Sequence, residues 1–341
     1  MDHLKVRVHQ MKRKLSGQDN AAEHNGRFVL ITNGTGYVST WIIRQFLSNG
    51  YQVRTTVRSN VEGQDVRDTL SKYSHNLDIV VLTRRTDWEE LVKGVDGVVV
   101  TELAEWRELL EVVVKTAPQV QRVIVTSSLD ALIDAEKQVE PGHAFTANDW
   151  NASSDEKALH AFVNEHQPNF SLATICPAMI WGPLAHKTDL DGVEDASEDV
   201  AEIWRTLDGE GKGNFRFPAF VDVRNVAQAH LRAYELEFDQ ERSAPTEERY
   251  IASGGSVTYA QVCTILREQY PEWRLKIPDP EKVADQEPPY TFDNTTTKET
   301  LCMSFICIED CLRDTAQSLM EISAASKKNV RYDGQEWFRH V

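Results

Sequence analysis

A short glycine-containing turn near the N-terminus has the residue types and spacing of a phosphate-binding loop. The segment 33–38 reads Asn-Gly-Thr-Gly-Tyr-Val, between an apolar, β-branched run and a helical pattern. Glycines let a backbone approach a pyrophosphate, and the free N–H groups and dipole of a helix N-terminus attract the anion. A purely structural turn is the alternative, but a strand followed by a helix is the context that a dinucleotide requires. The predicted binding residues are Asn33, Gly34, Gly36, Tyr37 and Val38.

Two arginines, one in the second apolar run and one just after it, indicate which dinucleotide the loop would bind. Arg54 and Arg58 stand where an acidic residue would otherwise bind the ribose hydroxyls of NAD. An arginine in this place suits a 2′-phosphate, whereas ordinary solvated arginines are the alternative. The pattern favours NADP over NAD.

These residues have to be positioned by regular elements, and the apolar pattern alternates between strand and helix. Strands are predicted at 28–32, 52–57, 77–82, 97–100, 122–126 and 171–175, with helices at 40–48, 88–93, 106–115 and 156–165. This alternation predicts an α/β fold, a Rossmann-type doubly wound parallel sheet. Ligands of such sheets bind at the carboxyl ends of the strands.

The alternation also suggests the domain organisation. Residues 1–26 are polar and lack sustained periodicity, which predicts a flexible extension. A dinucleotide-binding domain is predicted for 27–176, together with about 218–246, where a strand-like run precedes a helix. A smaller substrate-binding domain is predicted for 177–217 and 247–341, with a final helix at 309–325.

Composition excludes several classes of partner. The 37 basic and 53 acidic side chains give a net charge of −16, which would repel nucleic acid and anionic membranes. No apolar run approaches the ~18 to 20 residues needed to cross a bilayer, and no secretory leader is visible, so we expect a cytoplasmic protein. The five cysteines are scattered, and no grouping has metal-ligand spacing, so neither disulfides nor a metal site are predicted.

Several longer stretches carry a resemblance that covers nearly everything after Arg27. They comprise residues 29–39, 50–58, 94–98, 122–128, 149–151, 168–175, 182–183, 220–223 and 290–294. In these the chain resembles the extended short-chain dehydrogenase/reductase (NAD-dependent epimerase/dehydratase) family, in particular its dihydroflavonol-reductase-like branch of fungal aldehyde and ketone reductases. The resemblance implies binding of NADP(H) and reduction of a carbonyl group by a serine, a tyrosine and a lysine.

Only the serine of that set has a match, which is Ser128. The family's Tyr-x-x-x-Lys lies on the helix before Pro168, and alignment places Asn148 and Ala152 at its two positions. Misalignment does not explain this, because no tyrosine occurs between Tyr73 and Tyr234. A shifted frame, Ser153-x-x-x-Lys157, restores the lysine but offers a hydroxyl that is too short and too weakly acidic to replace a phenol.

Further departures lie near the expected cofactor. Asn33 replaces the first glycine of the loop, which asparagine can do because it also visits left-handed conformations. Val81-Leu82 replaces an adenine-contacting aspartate, and the segment 100–102 replaces the family's His-x-Ala beneath the nicotinamide ribose. The phosphate side is thus retained better than the nicotinamide side, and the sequence leaves open whether NADP is still bound.

Apolar side chains are expected to line the substrate pocket and to select a hydrophobic small molecule. They lie on the segment 177–183, which leaves the sixth predicted strand, and on the later strand at 219–221. Ordinary core packing is the alternative for these residues. The predicted substrate-binding residues are Pro177, Met179, Trp181 and Phe220.

Polar candidates for catalysis cluster at the end of the fifth strand and in the following loop. They are Ser127, Ser128, Asp130, His143 and Asp149. Each has a structural alternative, since serines at strand ends bond backbone groups and aspartates cap turns. Ser128 inherits the family's position.

Three functions remain open. The first is a secondary-metabolite enzyme that has lost redox chemistry and cyclises or isomerises a hydrophobic substrate by positioning and hydrogen bonding. The second is an NADPH-dependent carbonyl reductase with a replaced proton donor, such as Asp149. The third is a non-enzymatic NADP-binding regulator. The resemblance implies a monomer or a homodimer.

Overall fold

The computed structural model describes residues 25–82, 88–134, 139–185, 193, 196–213, 215–236, 247–283 and 288–336. Residues 1–24 of the predicted flexible extension lie outside these ranges, as do residues 189–192 and 194–195 of the acidic run at 189–202. Among the described residues, no helix is both long enough and apolar enough to span a membrane.

Strands and helices alternate through the first half of the chain. The strands are β1 (Phe28–Ile31), β2 (Gln52–Val57), β3 (Leu77–Val81), β4 (Gly97–Val100), β5 (Arg122–Thr126), β6 (His143–Phe145), β7 (Ser171–Pro177), β8 (Met179–Trp181), β9 (Ala219–Asp222), β10 (Glu247–Ala252), β11 (Gly255–Ser256) and β12 (Tyr290–Phe292). The helices are α1 (Tyr37–Ser48), α2 (Asn60–Thr69), α3 (Trp88–Leu91), α4 (Trp106–Thr116), α5 (Asp155–His166), α6 (Glu198–Asp208), α7 (Val223–Glu235), α8 (Tyr259–Gln269), α9 (Thr295–Thr300) and α10 (Ile308–Glu336).

Seven strands form a parallel sheet in the order β10-β7-β5-β4-β1-β2-β3. The inner strands are almost wholly apolar because helices cover both faces of the sheet. Val29 and Ile31 pack on one face of β1 and Leu30 on the other, each fully buried. The order reverses between β1 and β4, where a doubly wound sheet binds its ligand. The Rossmann-type prediction is confirmed.

Smaller sheets extend the carboxyl edge of the large one. Strands β8, β9 and β11 form one of them, and β6 pairs with β12 in another. Strand β10, predicted to lie in the smaller domain, is an edge strand of the large sheet, so the boundary falls later in the chain. Helix α6 lies where the sequence suggested only loops and an acidic run, and it forms because Val200, Ile203 and Leu207 bury one face.

Gly97 of β4 is one position where the packing of the sheet tolerates no side chain. A Cβ atom there would lie 2.2 Å from the ring of Tyr234. We expect Gly97→Ala to destabilise the protein by about 1 to 3 kcal/mol, because overpacking displaces the ring. The urea midpoint measures this. Gly63→Ala on α2 is the control: its Cβ meets nothing closer than 3.5 Å, so helix propensity should raise stability slightly. Equal midpoints for the two variants would contradict the packing described.

Candidate active site

The phosphate loop is anchored to the end of β2. The Asn33 N–H donates to Thr56 Oγ1 at 3.0 Å, and the Gly34 N–H donates to the Thr56 carbonyl at 2.7 Å. Asn33 has φ +55, a left-handed conformation that asparagine adopts more readily than most residues. Asparagine therefore fits the position where the family has a glycine.

Gly36 is the residue that precedes α1, and there is no room for a side chain on it. A Cβ atom would lie 2.7 Å from both Asn33 Nδ2 and Ser39 Oγ. No side chain in the described ranges caps this helix, and its first turn contains no acidic residue. The N-terminal N–H groups and dipole of α1 therefore face the loop and can bind an anion.

A cleft of about 190 Å³ opens on this loop and runs towards β8 and α6. It is lined by Asn33, Gly36, Tyr37, Val38, Ser39, Thr101, Ile180, Ser197 and Asp199. Four of the five predicted loop residues thus line one cavity, while Gly34 lies beneath them against Thr55. The hydroxyl of Tyr37 donates to the Gly182 carbonyl at 3.0 Å, which ties α1 to the end of β8.

Asp199 closes the far side of the cleft. Its Oδ2 accepts the Ile180 N–H at 3.0 Å. Burial raises the pKa of this carboxyl above its usual value, although the Ile180 N–H and the charge of Arg216 act in the opposite direction. A carboxyl group of raised pKa in a cleft is a candidate for proton transfer.

Arg54 does not face the phosphate loop, which corrects the prediction for this residue. Its guanidinium pairs with Asp78 at 2.7 Å and donates to the carbonyls of Glu90, Leu91 and Lys93. Arg54 lies within β2, four positions before Arg58, which follows the end of the strand. A strand advances about 3.3 Å per residue, so Arg54 is well back from the carboxyl edge of the sheet. Arg54 therefore joins β2 to β3 and α3.

Arg58 lies just beyond the carboxyl end of β2 and is the exposed cation on this side of the loop. Its side chain is 78% exposed and approaches Glu102 Oε1 at 3.9 Å. Glu102 follows β4 and also accepts a hydrogen bond from Asn33 Nδ2. The 2′-phosphate contact of Arg58 stays a prediction, and Glu102 adds a negative charge beside this arginine.

Ser128 lies at the carboxyl end of β5 and forms a small polar cluster. Its hydroxyl donates to Asp130 Oδ2 at 2.9 Å and accepts the Asp130 N–H at 3.0 Å. Arg216 pairs with the same Asp130 carboxylate. The Arg216 and Asp130 side chains are 64% and 45% exposed, so the Ser128–Asp130–Arg216 cluster is open to solvent.

Ser127 is part of the buried structure, contrary to its predicted catalytic role. Its hydroxyl donates to Glu156 Oε2 at 2.7 Å, and the Glu156 side chain is fully buried. Glu156 also accepts from Arg249 Nε at 2.9 Å and from the Thr174 hydroxyl. The Ser127 hydroxyl is a structural member of this network, because a buried hydroxyl needs a hydrogen-bond partner.

The positions aligned with the missing tyrosine and lysine are not on a helix. Helix α5 begins at Asp155 and is capped by Ser154, so Asn148 and Ala152 precede it. Arg249 holds their segment by donating to the carbonyls of Ala147 and Asp149, both at 2.7 Å. The family geometry is therefore not available at these two positions.

The shifted frame also lacks the geometry of a catalytic pair. Ser153 is exposed and its hydroxyl donates to the Asn151 side chain at 2.9 Å. The Lys157 ammonium lies 4.3 Å from the ring centre of Trp150, where it makes a cation–π contact. The contacts of both side chains are therefore with residues of the turn before α5.

Asp149 and His143 contact each other rather than Ser128. The Asp149 carboxylate accepts the Thr146 N–H at 2.7 Å and its hydroxyl at 2.9 Å, which is the bonding of a turn. His143 Nε2 lies 3.7 Å from Asp149 Oδ1. The predicted catalytic role of Asp149 is thus replaced by a structural one, and the contacts of His143 assign it no part in the Ser128 cluster.

The predicted substrate wall is part of the protein core. Pro177 is buried at the end of β7, Met179 and Phe220 are 2% exposed, and Trp181 is fully buried against Phe220. Side chains alternate along β8, so Ile180 faces the cleft while its neighbours face inward. Of the three residues of β8, Ile180 lines the cleft, and the predicted Met179 and Trp181 face the core.

Three residues in or near the open site were not among the predicted site residues. Both Asp199 and Arg216 lie in the segment 177–217, which the sequence assigned to the smaller domain, and Asp199 falls within its acidic run at 189–202. Tyr290 belongs to a stretch that was quoted only for its family resemblance. Burial and the charge of Asp130 raise the pKa of the Tyr290 hydroxyl. Their placement depends on tertiary packing.

Several known reductases resemble this chain in sequence. No protein-family model matches the chain. It is 26% identical to the ketoreductase azaE of Aspergillus niger, covering 86% of this chain and 97% of that one. It is 29% identical to the cinnamoyl-CoA reductase CAD2 of Medicago truncatula, covering 87% and 96%. The relatives are reductases of the NAD(P)-dependent epimerase/dehydratase type.

Solved structures show the same fold. Yeast methylglyoxal/isovaleraldehyde reductase Gre2, complexed with NADPH, matches with a TM-score of 0.76 at 20% identity, covering 87% of this chain and 99% of that one. Vestitone reductase from alfalfa (Medicago sativa) matches with a TM-score of 0.67 at 21% identity, covering 86% and 98%. The Rossmann-type architecture thus extends over nearly the whole of these reductases.

The Glu156–Arg249 pair yields a prediction for stability. Glu156→Gln leaves the buried Arg249 guanidinium without its counter-charge, so we expect a loss of about 3 to 5 kcal/mol. Chemical denaturation at pH 7 measures this loss. Lys276→Ala is the control, since it breaks an exposed ion pair with Asp208 and should change stability by at most about 1 kcal/mol. Similar losses in both variants would contradict the account.

The same pair predicts how stability depends on pH. Burial alone would raise the pKa of Glu156, but hydrogen bonds from His160, Arg249 and Thr174, with the charge of Arg249, hold it well below its usual value. A lowered pKa in the folded state stabilises above the unfolded value of about 4.3, and this contribution is lost as the pH falls further. Unfolding free energies from pH 7 to pH 3 should therefore fall more steeply for the wild type than for Glu156→Gln.

Proposed function

We propose that the protein is an NADPH-dependent carbonyl reductase in which a group other than tyrosine supplies the proton. The observation that carries this proposal is the cleft that begins on the uncapped N-terminus of α1, at the switch point of the sheet, and leads to an acidic group of raised pKa. The names of the relatives support it: one is a ketoreductase, and Gre2 was solved with NADPH.

The residues present fit the phosphate half of this cofactor. Gly34 and Gly36 keep the loop free of side chains, and α1 offers its N-terminal N–H groups to the pyrophosphate. Arg58 would pair with the 2′-phosphate. Thr101 and Ile180 line the cleft in the direction of the reacting end. When bound, the cofactor supplies a hydride to the carbonyl carbon.

The protein's own contribution would be to hold the carbonyl group and to polarise it. Ser128 stands at the position where the resembling family has its serine. A substrate carbonyl oxygen would accept the hydrogen bond of the Ser128 hydroxyl in place of Asp130. Arg216 neutralises Asp130 and so makes this exchange easier. A hydrophobic substrate is supported by Phe217, which stacks beneath Arg216, and by half-buried Phe292 and Tyr290 beyond it.

Non-redox cyclisation or isomerisation, the first hypothesis from the sequence, is not supported by the comparisons. Its motivation was the missing Tyr-x-x-x-Lys, which remains a property of the sequence, but the relatives are named as oxidoreductases. The second hypothesis fits them better. Asp149, which the sequence suggested as the proton donor, accepts hydrogen bonds that form a turn. Another acid would therefore have to supply the proton.

Activity is tested with purified protein, NADPH and a panel of aldehydes and ketones, by following NADPH absorbance and the alcohol product. We expect reduction of a hydrophobic carbonyl compound, and a fall in kcat of about 10²-fold or more for Ser128→Ala. Ser153→Ala, which removes an exposed hydroxyl from the turn before α5, should leave kcat unchanged. The proposal would be contradicted if no compound of the panel were reduced, or if a carbonyl compound were converted without consumption of NADPH.

Cofactor binding is tested separately by titrating NADP and NAD while following tryptophan emission. Gly36→Val fills the space before α1 and should abolish binding of both. Arg58→Ala should weaken NADP by about tenfold, equivalent to about 1.4 kcal/mol, and leave NAD unchanged. Arg313→Ala on α10 is the matched loss of charge and should have no effect. Saturable binding without any turnover would favour the NADP-binding regulator instead.

A further inference from the structure

The reductase function leaves the source of the proton open, and three side chains near the cleft could supply it. They are Asp130, Tyr290 and Asp199. Asp130 is paired with Arg216 and accepts the Ser128 hydroxyl, which are the contacts of an ionised carboxylate. Tyr290 is a phenol whose pKa is raised by burial and by the charge of Asp130. Asp199 is a carboxyl group that lines the cleft itself.

We propose, on the basis of the reductase function, that Asp199 is the acid that delivers the proton to the substrate oxygen. It lies in the first turn of α6 and lines the same cavity as the phosphate loop and Ile180. Its Oδ2 is fixed by the Ile180 N–H at 3.0 Å. One carboxyl oxygen is thus oriented by the backbone, which leaves the other available to substrate.

The surroundings of Asp199 favour its protonated form. Burial acts most strongly, followed on the same side by the negative charges of Glu198 and Asp130. The Ile180 N–H and Arg216 oppose them but do not reverse the direction. The Tyr37 hydroxyl, on α1, also interacts electrostatically with Asp199. Asp199 also interacts electrostatically with Asp130 and Arg216, the two charged residues of the Ser128 cluster.

The step balances in atoms and electrons. The carbonyl carbon receives a hydride from bound NADPH, and the electron pair of the C=O π bond moves to the oxygen. The O–H bond of the Asp199 carboxyl group breaks as its proton passes to that oxygen, so the product is an alcohol. The Asp199 carboxylate then takes a proton from water in the cleft. NADP⁺ and the alcohol are released.

The test compares wild type, Asp199→Asn, Asp199→Glu and Tyr290→Phe. Asparagine can still accept the Ile180 N–H but cannot donate a carboxyl proton, so kcat should fall about 10²-fold or more. The tryptophan-emission titration should give the same NADPH affinity within about twofold. Wild-type kcat should fall as the pH rises through the pKa of Asp199, and this limb should be absent from the residual rate of Asp199→Asn. Asp199→Glu should recover part of kcat, and Tyr290→Phe should lower kcat far less than Asp199→Asn does.

The outcomes separate this inference from the proposed function. If the wild type reduces no carbonyl compound, the reductase proposal itself fails. If the wild type is active and Asp199→Asn keeps its rate and pH profile, only Asp199 is excluded, and a large loss in Tyr290→Phe would identify the phenol as donor. If Asp199→Asn proves unstable by urea denaturation, Asp199→Glu decides: a shifted pH profile supports the inference, and an unchanged one overturns it.

Discussion

The buried ion pair between Arg249 and Glu156 determines the geometry of the carboxyl edge of the sheet. Arg249 is on the edge strand β10 and Glu156 is in the first turn of α5, and both side chains are almost wholly buried. Desolvating two charges is unfavourable unless their remaining hydrogen-bonding groups are satisfied. Here Arg249 also donates to the carbonyls of Ala147 and Asp149, and stacks on Trp150 at 3.5 Å. The pair therefore fixes both the start of α5 and the segment before it.

This arrangement explains why the tyrosine and lysine positions of the family cannot serve here. The residues that align with them lie in the turn that Arg249 holds, and Ser127 is bonded to Glu156. What remains open is the other side of the edge, from the N-terminus of α1 to Asp199 and the Ser128–Asp130–Arg216 cluster. A cofactor bound at α1 would direct its reacting end towards these groups. The function proposed above follows from which groups the fold leaves free.

The features that the sequence predicts well are local ones. The parallel sheet follows from short apolar strands alternating with helices, and the phosphate loop from a glycine turn between a strand and a helix. Tertiary contacts decide the rest. Arg54 is mid-strand opposite Asp78, so its charge is used between strands rather than at the edge. Met179 and Trp181 differ from Ile180 only in the face of β8 on which they lie. Asp199 could not be singled out within an acidic run, because only packing shows which carboxyl is buried.

The central claim is that the protein catalyses hydride transfer although no tyrosine occurs between Tyr73 and Tyr234. The most direct test is to supply NADPH deuterated at the transferred position, with a reducible ketone, and to locate the label in the product. The account predicts one deuterium on the carbinol carbon for each NADPH oxidised. A product without deuterium, formed while the labelled cofactor stays intact, would contradict the account and favour non-redox chemistry.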